Sequence, residues 1–542
     1  MGLESGNARD ISANRVPKLI THAKDVLDSV AVRRRACELI DVSSSKQIER
    51  RGLIAIFSNG SPFVTMTTAL PARELRRLGY DVLYLSFTDS LGKSFPASTN
   101  WRQFSGIVLG GGRFLVDSTS NGRNFAWTVD WKNRVVEANG INFYQVVFET
   151  LCNRFRRFSI DISDPVFSSA FDKTIDIADT ILAVCVRLYE INRTQKQPIR
   201  ILAGAPHLVP AGVFRKFCEI AGYDNNMEFV VFKPSYEHYF SNMTNTRITK
   251  LAIENMTRFR DMQRLPVFAR RKQFENWLAT AGPYKESWEK VRGVLKLKRL
   301  VTDQKSAGAE VTLRRIRAAK QEGRPIVCIF GKILYDISEP EQGGPVHRDI
   351  KEWINDTISI AGSSDALFLI KPHPSETKLS FGTPTERFTG LVHVDLPENV
   401  FILEHRWFNL PDLTPLIDLG VIWAGMTALE LGAMGIPCIV CNSWGLRDHP
   451  IAFPYPKSRE DYKVMLKTPF SIAWPDAERV RCVRLLDYLS HEDFMISYPY
   501  AQIPMRGIDK APKVWNEEEL ERYLSAGDRH VTKIVARIVG DA

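Results

Sequence analysis

The sequence predicts an α/β protein with two Rossmann-like domains, a helical insert between them and helices at the C-terminus. Three observations predict this fold. Short apolar runs alternate with helical stretches in two separate parts of the chain, which is typical of parallel sheets covered by helices. Several runs end in glycine, lysine or histidine, as strands do where they lead into ligand-binding loops. The length of 542 residues exceeds what one hydrophobic core normally organises, so at least two domains are expected.

The first Rossmann-like domain is predicted over residues 51–245, after an N-terminal helical extension over residues 1–50. Helix is predicted at Ala72–Leu78 and over most of residues 142–192, where the apolar pattern is amphipathic. The apolar runs that predict its buried strands are Gly52–Phe57, Tyr80–Leu85, Ile107–Leu109 and Ile199–Leu202.

The second Rossmann-like domain is predicted over residues 321–475. It follows residues 246–320, which lack a strand pattern and are predicted to form a basic helical segment. A helix is expected near residues 348–360, and residues 476–542 are predicted to contain C-terminal helices at 479–488 and 517–538. The apolar runs that predict buried parallel strands are Arg324–Phe330, Ala366–Ile370, Val400–Leu403, Gly420–Trp423 and Pro437–Val440.

The composition is that of a globular protein. Hydrophobic residues make up 44% and charged residues 25% of the chain, which leaves no disordered bulk. No apolar run approaches the roughly 20 residues that span a bilayer, and the N-terminus lacks a signal-peptide pattern. The eight cysteines are dispersed, which is typical of reduced core thiols and predicts a cytoplasmic protein. Cys438 and Cys441 form a CxxC pattern inside an apolar run, where core packing is favoured over a metal or redox role.

The net charge of +10 concerns partners rather than fold. Positive residues concentrate between Arg247 and Arg299, which suits an anionic membrane surface, an acidic polysaccharide or nucleic acid. A solvated helical surface explains the charge equally well. Nucleic acid is disfavoured because no RNP, KH, zinc-finger or Walker motif accompanies the charge.

The first candidate site is the bend Lys371-Pro372-His373-Pro374 at a predicted strand end. Two prolines restrict the bend, so Lys371 and His373 are held in fixed directions. Fixed donors suit a phosphate oxygen or a ribose hydroxyl, because little conformational entropy is lost on binding. A stiff surface turn with an incidental histidine is the alternative.

The second candidate site is the predicted helix start Gly425-Met426-Thr427-Ala428-Leu429-Glu430. Gly425 allows close approach to the backbone, and the free amides of a helix start attract anions. Thr427 and Glu430 have the spacing of a capping box, which would start a helix without any ligand. Glu430 is therefore either a cap or a ribose acceptor. Lys332, after the first strand of this domain, could add positive charge to the same cleft, and the loop at Glu404–Trp407 could contact the base or ribose.

No metal and no cofactor is expected. Because no Asp-x-Asp motif stands at a strand end, lysine, histidine and helix amides would stabilise the departing phosphate instead of Mg²⁺. The absence of a Gly-x-Ser-x-Gly elbow counts against a hydrolase. The first domain is expected to supply the acceptor site and a general base, for which Asp130, His207 and Glu237 are candidates. Each of the three is also explained as an ordinary polar loop residue.

Through these motifs the chain resembles the bacterial capsular-polysaccharide glycosyltransferases, a group that includes Kdo transferases. The resemblance covers about residues 325–441 and depends on Lys371–Pro374 and on Gly425–Glu430, with Gly435-Ile436-Pro437 after them. It implies a GT-B fold, metal independence and a CMP-activated acidic sugar as donor. It also implies that His373 and Pro374 contact the nucleotide and that Thr427 contacts its phosphate. Met426-Thr427 stands where a Ser-Ser pair is common, which leaves the donor open, with CMP-Kdo favoured.

The sequence thus predicts a cytoplasmic, metal-independent glycosyltransferase. Its substrates would be a nucleotide-sugar donor and a capsular or surface glycan, or a lipid-linked acceptor, with peripheral contact at the inner membrane face. Three alternatives stay open: a UDP-sugar 2-epimerase, a CDP-polyol polymerase of the teichoic-acid type, which shares a Lys-Pro-His-Pro element, and a non-catalytic scaffold that binds polysaccharide or nucleic acid.

Overall fold

The computed structural model describes most of the chain in separate ranges. These are residues 35–36, 38–40, 50–57, 62–85, 122–204, 207–235, 248–255, 271–297, 306–334, 343–373, 376, 386–405, 407–442, 449–502 and 514–540. The predicted strand at Ile107–Leu109 and most of the predicted N-terminal extension lie outside them.

The first domain is built around a seven-stranded sheet in the order β15-β14-β8-β7-β6-β1-β2. Strands β2, β1, β6 and β7 run parallel, whereas β8, β14 and β15 are joined through antiparallel pairs. The strands of this sheet are β1 Gly52–Phe57, β2 Tyr80–Leu85, β6 Ile199–Ala203, β7 Met227–Ser235, β8 Ile248–Asn255, β14 Ile496–Gln502 and β15 Val514–Trp515.

The second domain contains a five-stranded sheet in the order β11-β10-β9-β12-β13, with parallel pairing throughout. Strands β9, β10, β12 and β13 are buried along their whole length, as expected of a parallel sheet covered on both faces. The strands are β9 Ile326–Phe330, β10 Leu367–Lys371, β11 Val400–Ile402, β12 Leu419–Ile422 and β13 Cys438–Val440. The predicted α/β fold with two domains, each built on a sheet that contains parallel strands, is confirmed.

Helices cover both sheets. In the described part of the chain, short 3-10 turns occur at Phe388–Leu391 and Pro469–Ser471. The α-helices are α1 Pro62–Arg77, α2 Tyr144–Phe155, α3 Pro165–Gln195, α4 Ala211–Asn225, α5 Arg271–Leu278, α6 Tyr284–Leu297, α7 Ala307–Gln321, α8 Ile350–Ala361, α9 Leu410–Leu413, α10 Met426–Ala433, α11 Arg459–Lys467, α12 Asp476–Tyr488, α13 Glu517–Ala526 and α14 Arg529–Val539. None of the helices in the described ranges is long and apolar enough to cross a membrane.

The predicted absence of strands from residues 246–320 is wrong. Residues Ile248–Asn255 form β8, which pairs with β7 on one side and β14 on the other. The buried Leu251 and Ile253 alternate with Lys250 and Glu254, so the period of two in this segment extends over only two apolar positions. The sheet neighbours, rather than local pattern, make it a strand.

The C-terminal residues differ from the prediction in two respects. Strands β14 and β15 were not predicted, and they add the end of the chain to the first sheet. The single helix expected at 517–538 is two helices, because Gly527 has a φ of 72° at the end of α13. The side chain of Asp528 then accepts the His530 backbone N–H and begins α14.

A small antiparallel sheet precedes α2 and packs on α3. It consists of β3 Thr128–Asp130, β4 Val135–Ala138 and β5 Ile141–Asn142. The buried carboxylate of Asp179 on α3 holds the segment that leads into it, accepting hydrogen bonds from the backbone N–H groups of Asn124 and Phe125 at 2.7 and 3.0 Å. The Asn124 amide and the Trp127 indole N–H donate to the same carboxylate.

Polar contacts at Glu386 and at Arg134 join the two domains, which also share one hydrophobic core. The Glu386 carboxylate accepts the backbone N–H groups of Phe158 and Ser159, both at 2.8 Å, and the Ser159 hydroxyl at 2.8 Å. Arg134 and Asp349 form an ion pair at 3.0 Å. The largest core cluster runs from residues of the first sheet to residues of the second, so apolar burial also joins the domains.

Replacing Asp179 with Asn should destabilise the protein by about 3 kcal/mol, since a buried charged acceptor of several hydrogen bonds becomes a neutral amide. Asp176→Asn on the same helix is the matched control. The Asp176 side chain is exposed, and within the described residues it pairs with Arg123 alone, so its loss should cost less than ~1 kcal/mol. Urea unfolding monitored by tryptophan fluorescence measures both. Equal stability of the two variants would contradict the role given to Asp179.

Candidate functional site

The second sheet reverses its direction of growth at β9. From β9 the chain adds β10 and then β11 on one side, and afterwards β12 and β13 on the other. The carboxyl ends of β9 and β12 therefore border the crevice where open α/β sheets bind ligands. Neighbouring strands lie ~4.8 Å apart, so the ends of β10 and β12 are about 10 Å apart, on either side of β9. Lys332, Lys371 and Gly425 follow these three ends, and the structure thus brings the two predicted junctions to one edge of one sheet.

Lys371 is the last residue of β10 and is buried, with 6% of its surface exposed. Its ammonium group donates hydrogen bonds to the carbonyls of His405 and Glu404 at 2.8 and 3.3 Å. Burial lowers the pKa of Lys371 to about 8. Lys371 therefore supports the loop after β11 at the edge of the crevice.

A buried acid–base pair that the sequence did not predict lies beside Lys371. His405 Nε2 and Glu376 Oε2 are 3.0 Å apart, and both side chains are almost fully buried. The other oxygen of Glu376 accepts the Phe388 backbone N–H at 3.3 Å. The pair ties the bend after β10 to the loop after β11. Glu376 and His405 are 29 residues apart, and no spacing rule could have joined them.

His373 is half-buried, and its carbonyl accepts the Glu376 backbone N–H at 3.1 Å. This hydrogen bond restricts the bend after β10, in addition to the restriction that the prolines impose. Pro374 lies outside the described residues. The nucleotide contacts expected of His373 and Pro374 stay predictions.

The predicted capping box at the second junction is wrong. Gly425, not Thr427, is the N-cap of α10, and the residue three positions later is Ala428, which has no side-chain acceptor. Glu430 lies in the second turn and is buried, with 4% of its surface exposed. Its backbone geometry excludes a cap, and a ribose contact stays a prediction.

Gly425 instead makes the start of α10 accessible. Its φ of 141° and ψ of 177° lie in a region that essentially only glycine adopts. Among the described residues, a Cβ built on Gly425 would meet only the side chain of Ile422, at 3.7 Å, so the described part of the chain leaves the space in front of it open. The first amides of α10 have no side-chain cap, and the half-buried Thr427 hydroxyl follows them at the second helical position. This arrangement suits a phosphate group.

Between the two junctions, the end of β9 is closely packed. The Gly331 backbone N–H donates to the Lys371 carbonyl at 2.8 Å, and a Cβ on Gly331 would lie 2.7 Å from the Phe388 ring. Glycine is needed here for close approach. The half-buried Lys332 follows directly.

Two of the three candidate general bases, Asp130 and His207, lie in the described residues, on different elements. Asp130 is exposed on β3, and it accepts hydrogen bonds from the Asn133 side chain and backbone, which lower the pKa of Asp130. A lowered pKa is the opposite of what a general base needs. His207 is half-buried between β6 and α4, and Glu237 lies outside the described residues. In the described ranges, no group of three or more His, Cys, Asp or Glu residues could hold a metal ion.

Comparison with known proteins gives distant structural similarity alone. No protein-family model and no curated protein sequence matches the chain. The Thermosulfurimonas dismutans KpsC β-Kdo 2,7-transferase is 12% identical, with 64% of this chain and 89% of that chain covered and a TM-score of 0.27. The KpsC β-Kdo 2,4-transferase of the same organism is 11% identical, with 54% and 88% covered and a TM-score of 0.29.

The Methanocaldococcus jannaschii UDP-GlcNAc 2-epimerase, solved with UDP-GlcNAc and UDP, is 10% identical. The alignment covers 80% of this chain and 99% of the epimerase chain, with a TM-score of 0.24. At such identities and TM-scores neither a transferase nor an epimerase activity follows from similarity, so function has to be inferred from the site.

Replacing Lys371 with Met should change how stability depends on pH. Folding disfavours the charged form of Lys371, so the unfolded chain binds more protons between pH ~8 and ~10.5, and the wild type should gain stability there as pH rises. The methionine variant should lack the increase in stability that comes from the deprotonation of Lys371. Urea unfolding of both proteins at pH 7, 8 and 9 gives the difference between their free energies of unfolding at each pH. This difference isolates the contribution of Lys371, because buried tyrosines and cysteines titrate in both proteins. A constant difference would contradict the burial of a titrating Lys371.

Proposed function

We propose that this protein is a metal-independent glycosyltransferase of the GT-B type that uses a nucleotide-sugar donor. The observation that supports it most is the set of phosphate-binding groups at the switch point of the second sheet. The open start of α10 at Gly425, the Thr427 hydroxyl and the cations Lys332 and Lys371 follow three adjacent strand ends.

The proposed site would bind the nucleotide phosphate at the start of α10. The amides there and the Thr427 hydroxyl donate to phosphate oxygens, and the helix dipole favours their negative charge. Positive charge from Lys332 and Lys371 on the neighbouring strand ends adds to the attraction. These groups stabilise the phosphate more as its bond to the sugar breaks and its charge grows, which is the requirement for catalysis.

The transfer step would take place in the crevice between the domains. An acceptor hydroxyl attacks the anomeric carbon, the bond from that carbon to the phosphate oxygen breaks, and a base of the first domain takes the hydroxyl proton. The nucleotide leaves with the bonding electron pair. His373 would contact the nucleotide, as the resemblance to capsular-polysaccharide transferases implies, and a CMP-sugar such as CMP-Kdo is the favoured donor. A glycan or lipid-linked acceptor at the inner membrane face completes the proposal.

Thr427→Ala should weaken nucleotide binding about tenfold, because a hydrogen bond to a charged group contributes ~1.5–3 kcal/mol. Thermal shift titrations with CMP, UDP and GDP measure this, since a ligand stabilises the fold with the logarithm of its concentration over Kd. Thr194→Ala is the matched control, as Thr194 is exposed near the end of α3 and bonds only a helix carbonyl. It should bind like the wild type.

The function itself is tested by donor turnover in EDTA, with and without acceptor glycans. Transfer that persists in EDTA and falls in Thr427→Ala and His373→Ala supports the proposal. Unchanged turnover and affinity in both variants would refute the site. Interconversion of UDP-GlcNAc without acceptor would instead support an epimerase, and polymer binding without nucleotide binding a scaffold.

A further inference from the structure

A cavity of about 210 Å³ lies where the two domains meet. Its walls are aromatic and belong to the first domain, whereas the N-terminal end of α8 in the second domain contributes charged groups at its rim. Two interdomain contacts border the cavity, the Arg134–Asp349 ion pair and the hydrogen bonds of Ser159 to Glu386. Its shape therefore depends on both domains.

The aromatic walls form a packed cluster. Trp131 lies 4.8 Å from Tyr144 and 6.0 Å from Phe148, and Phe148 contacts Phe158 edge-on at 5.7 Å, all measured between ring centroids. The Trp131 indole N–H donates to the Ile160 carbonyl at 3.0 Å. Because its polar edge is already bonded, Trp131 meets the cavity as an apolar ring. Such rings suit the C–H face of a sugar.

The charges at the rim are unequal. Arg134 lies 3.0 Å from Asp349, whose carboxylate also lies 3.5 Å from the exposed Arg348. Lys351, on the first turn of α8, is half-buried and has no carboxylate within ion-pair distance in the part of the chain that the structure describes. Among the residues that line the cavity, Lys351 is thus the cation without a carboxylate partner in the described part of the chain, which suits an anionic ligand.

The cavity is small and partly open. At about 210 Å³ it lies below the ~300–1,000 Å³ of sites for drug-sized ligands, so one sugar ring suits it better than a whole nucleotide-sugar. A phosphate monoester carries ~1.5–2 negative charges, more than the Lys351 ammonium balances, whereas a carboxylate carries one.

The cavity is also connected to the proposed donor site. Glu386 holds the wall residue Ser159, and two residues later the Phe388 backbone N–H donates to Glu376, the partner of His405. We propose that this cavity is a subsite for one carboxylate-bearing sugar ring of the acceptor chain, with Lys351 binding the carboxylate and Trp131 packing on the ring. The acceptor assignment rests on the proposed function, whereas the binding of an acidic sugar ring can be tested without it.

The test uses the full-length protein and ligand-observed NMR with methyl β-glucuronide and methyl β-glucoside as probes. The wild type should bind the glucuronide at least fivefold more tightly than the glucoside. Lys351→Ala should lose this preference, Lys351→Arg should keep it, and the matched control Lys132→Ala should bind as the wild type does, because Lys132 is exposed beside Trp131 without lining the cavity. Absence of glucuronide binding, equal binding of both probes, or unchanged selectivity in Lys351→Ala would overturn the proposal.

The thermal shift with CMP separates this inference from the proposed function. Glucuronide binding that depends on Lys351 in a protein that binds no nucleotide would support the subsite and refute the transferase. Nucleotide binding without glucuronide binding would refute the subsite alone. With both present, Lys351→Ala should raise the KM for an acidic acceptor and leave acceptor-free donor hydrolysis unchanged, which contradicts a purely structural role of Lys351.

Discussion

The second sheet is constrained by its burial on both faces, and the rest of the site depends on this constraint. Strands β9, β10, β12 and β13 are buried along their length, so polar side chains cannot lie on them without a cost in desolvation. Polar groups are accommodated where the strands end. Because the strands are parallel, their carboxyl ends share one edge, and the reversal of strand order at β9 opens a crevice there.

At that edge, buried ionisable groups hold the loops in place through hydrogen bonds within the protein. Lys371 donates to two carbonyls of the loop after β11, and Glu376 pairs with His405 of the same loop. Removing one partner of such a pair leaves the other charge buried and unpaired, which costs more than the pair itself contributes. The groups thus fix the positions of two loops at the crevice, while the start of α10 is left uncapped and open at Gly425.

Two carboxylates of the second domain bind residues of the first domain and so connect it to this site. Glu386 holds residues 158–159, and Asp349 holds Arg134, on two sides of an aromatic cavity. Asp179 in turn fixes the segment leading into the small sheet that presents Trp131. A chain of local hydrogen bonds therefore connects the shape of this cavity to the loops beside Lys371.

The sequence by itself determined the α/β class, the strands of the second sheet and the two junctions, because buried parallel strands are continuous apolar runs and their ends are marked by polar residues or glycine. It could not determine β8, β14 or β15, whose conformation depends on sheet neighbours distant in the chain. The capping box failed because Thr427 and Glu430 have the right spacing while the backbone at Gly425 sets where the helix begins. Only the tertiary structure decided that His405 meets Glu376 and that Arg134 meets Asp349, since contacts between residues 29 and 215 positions apart follow from packing and leave no local pattern.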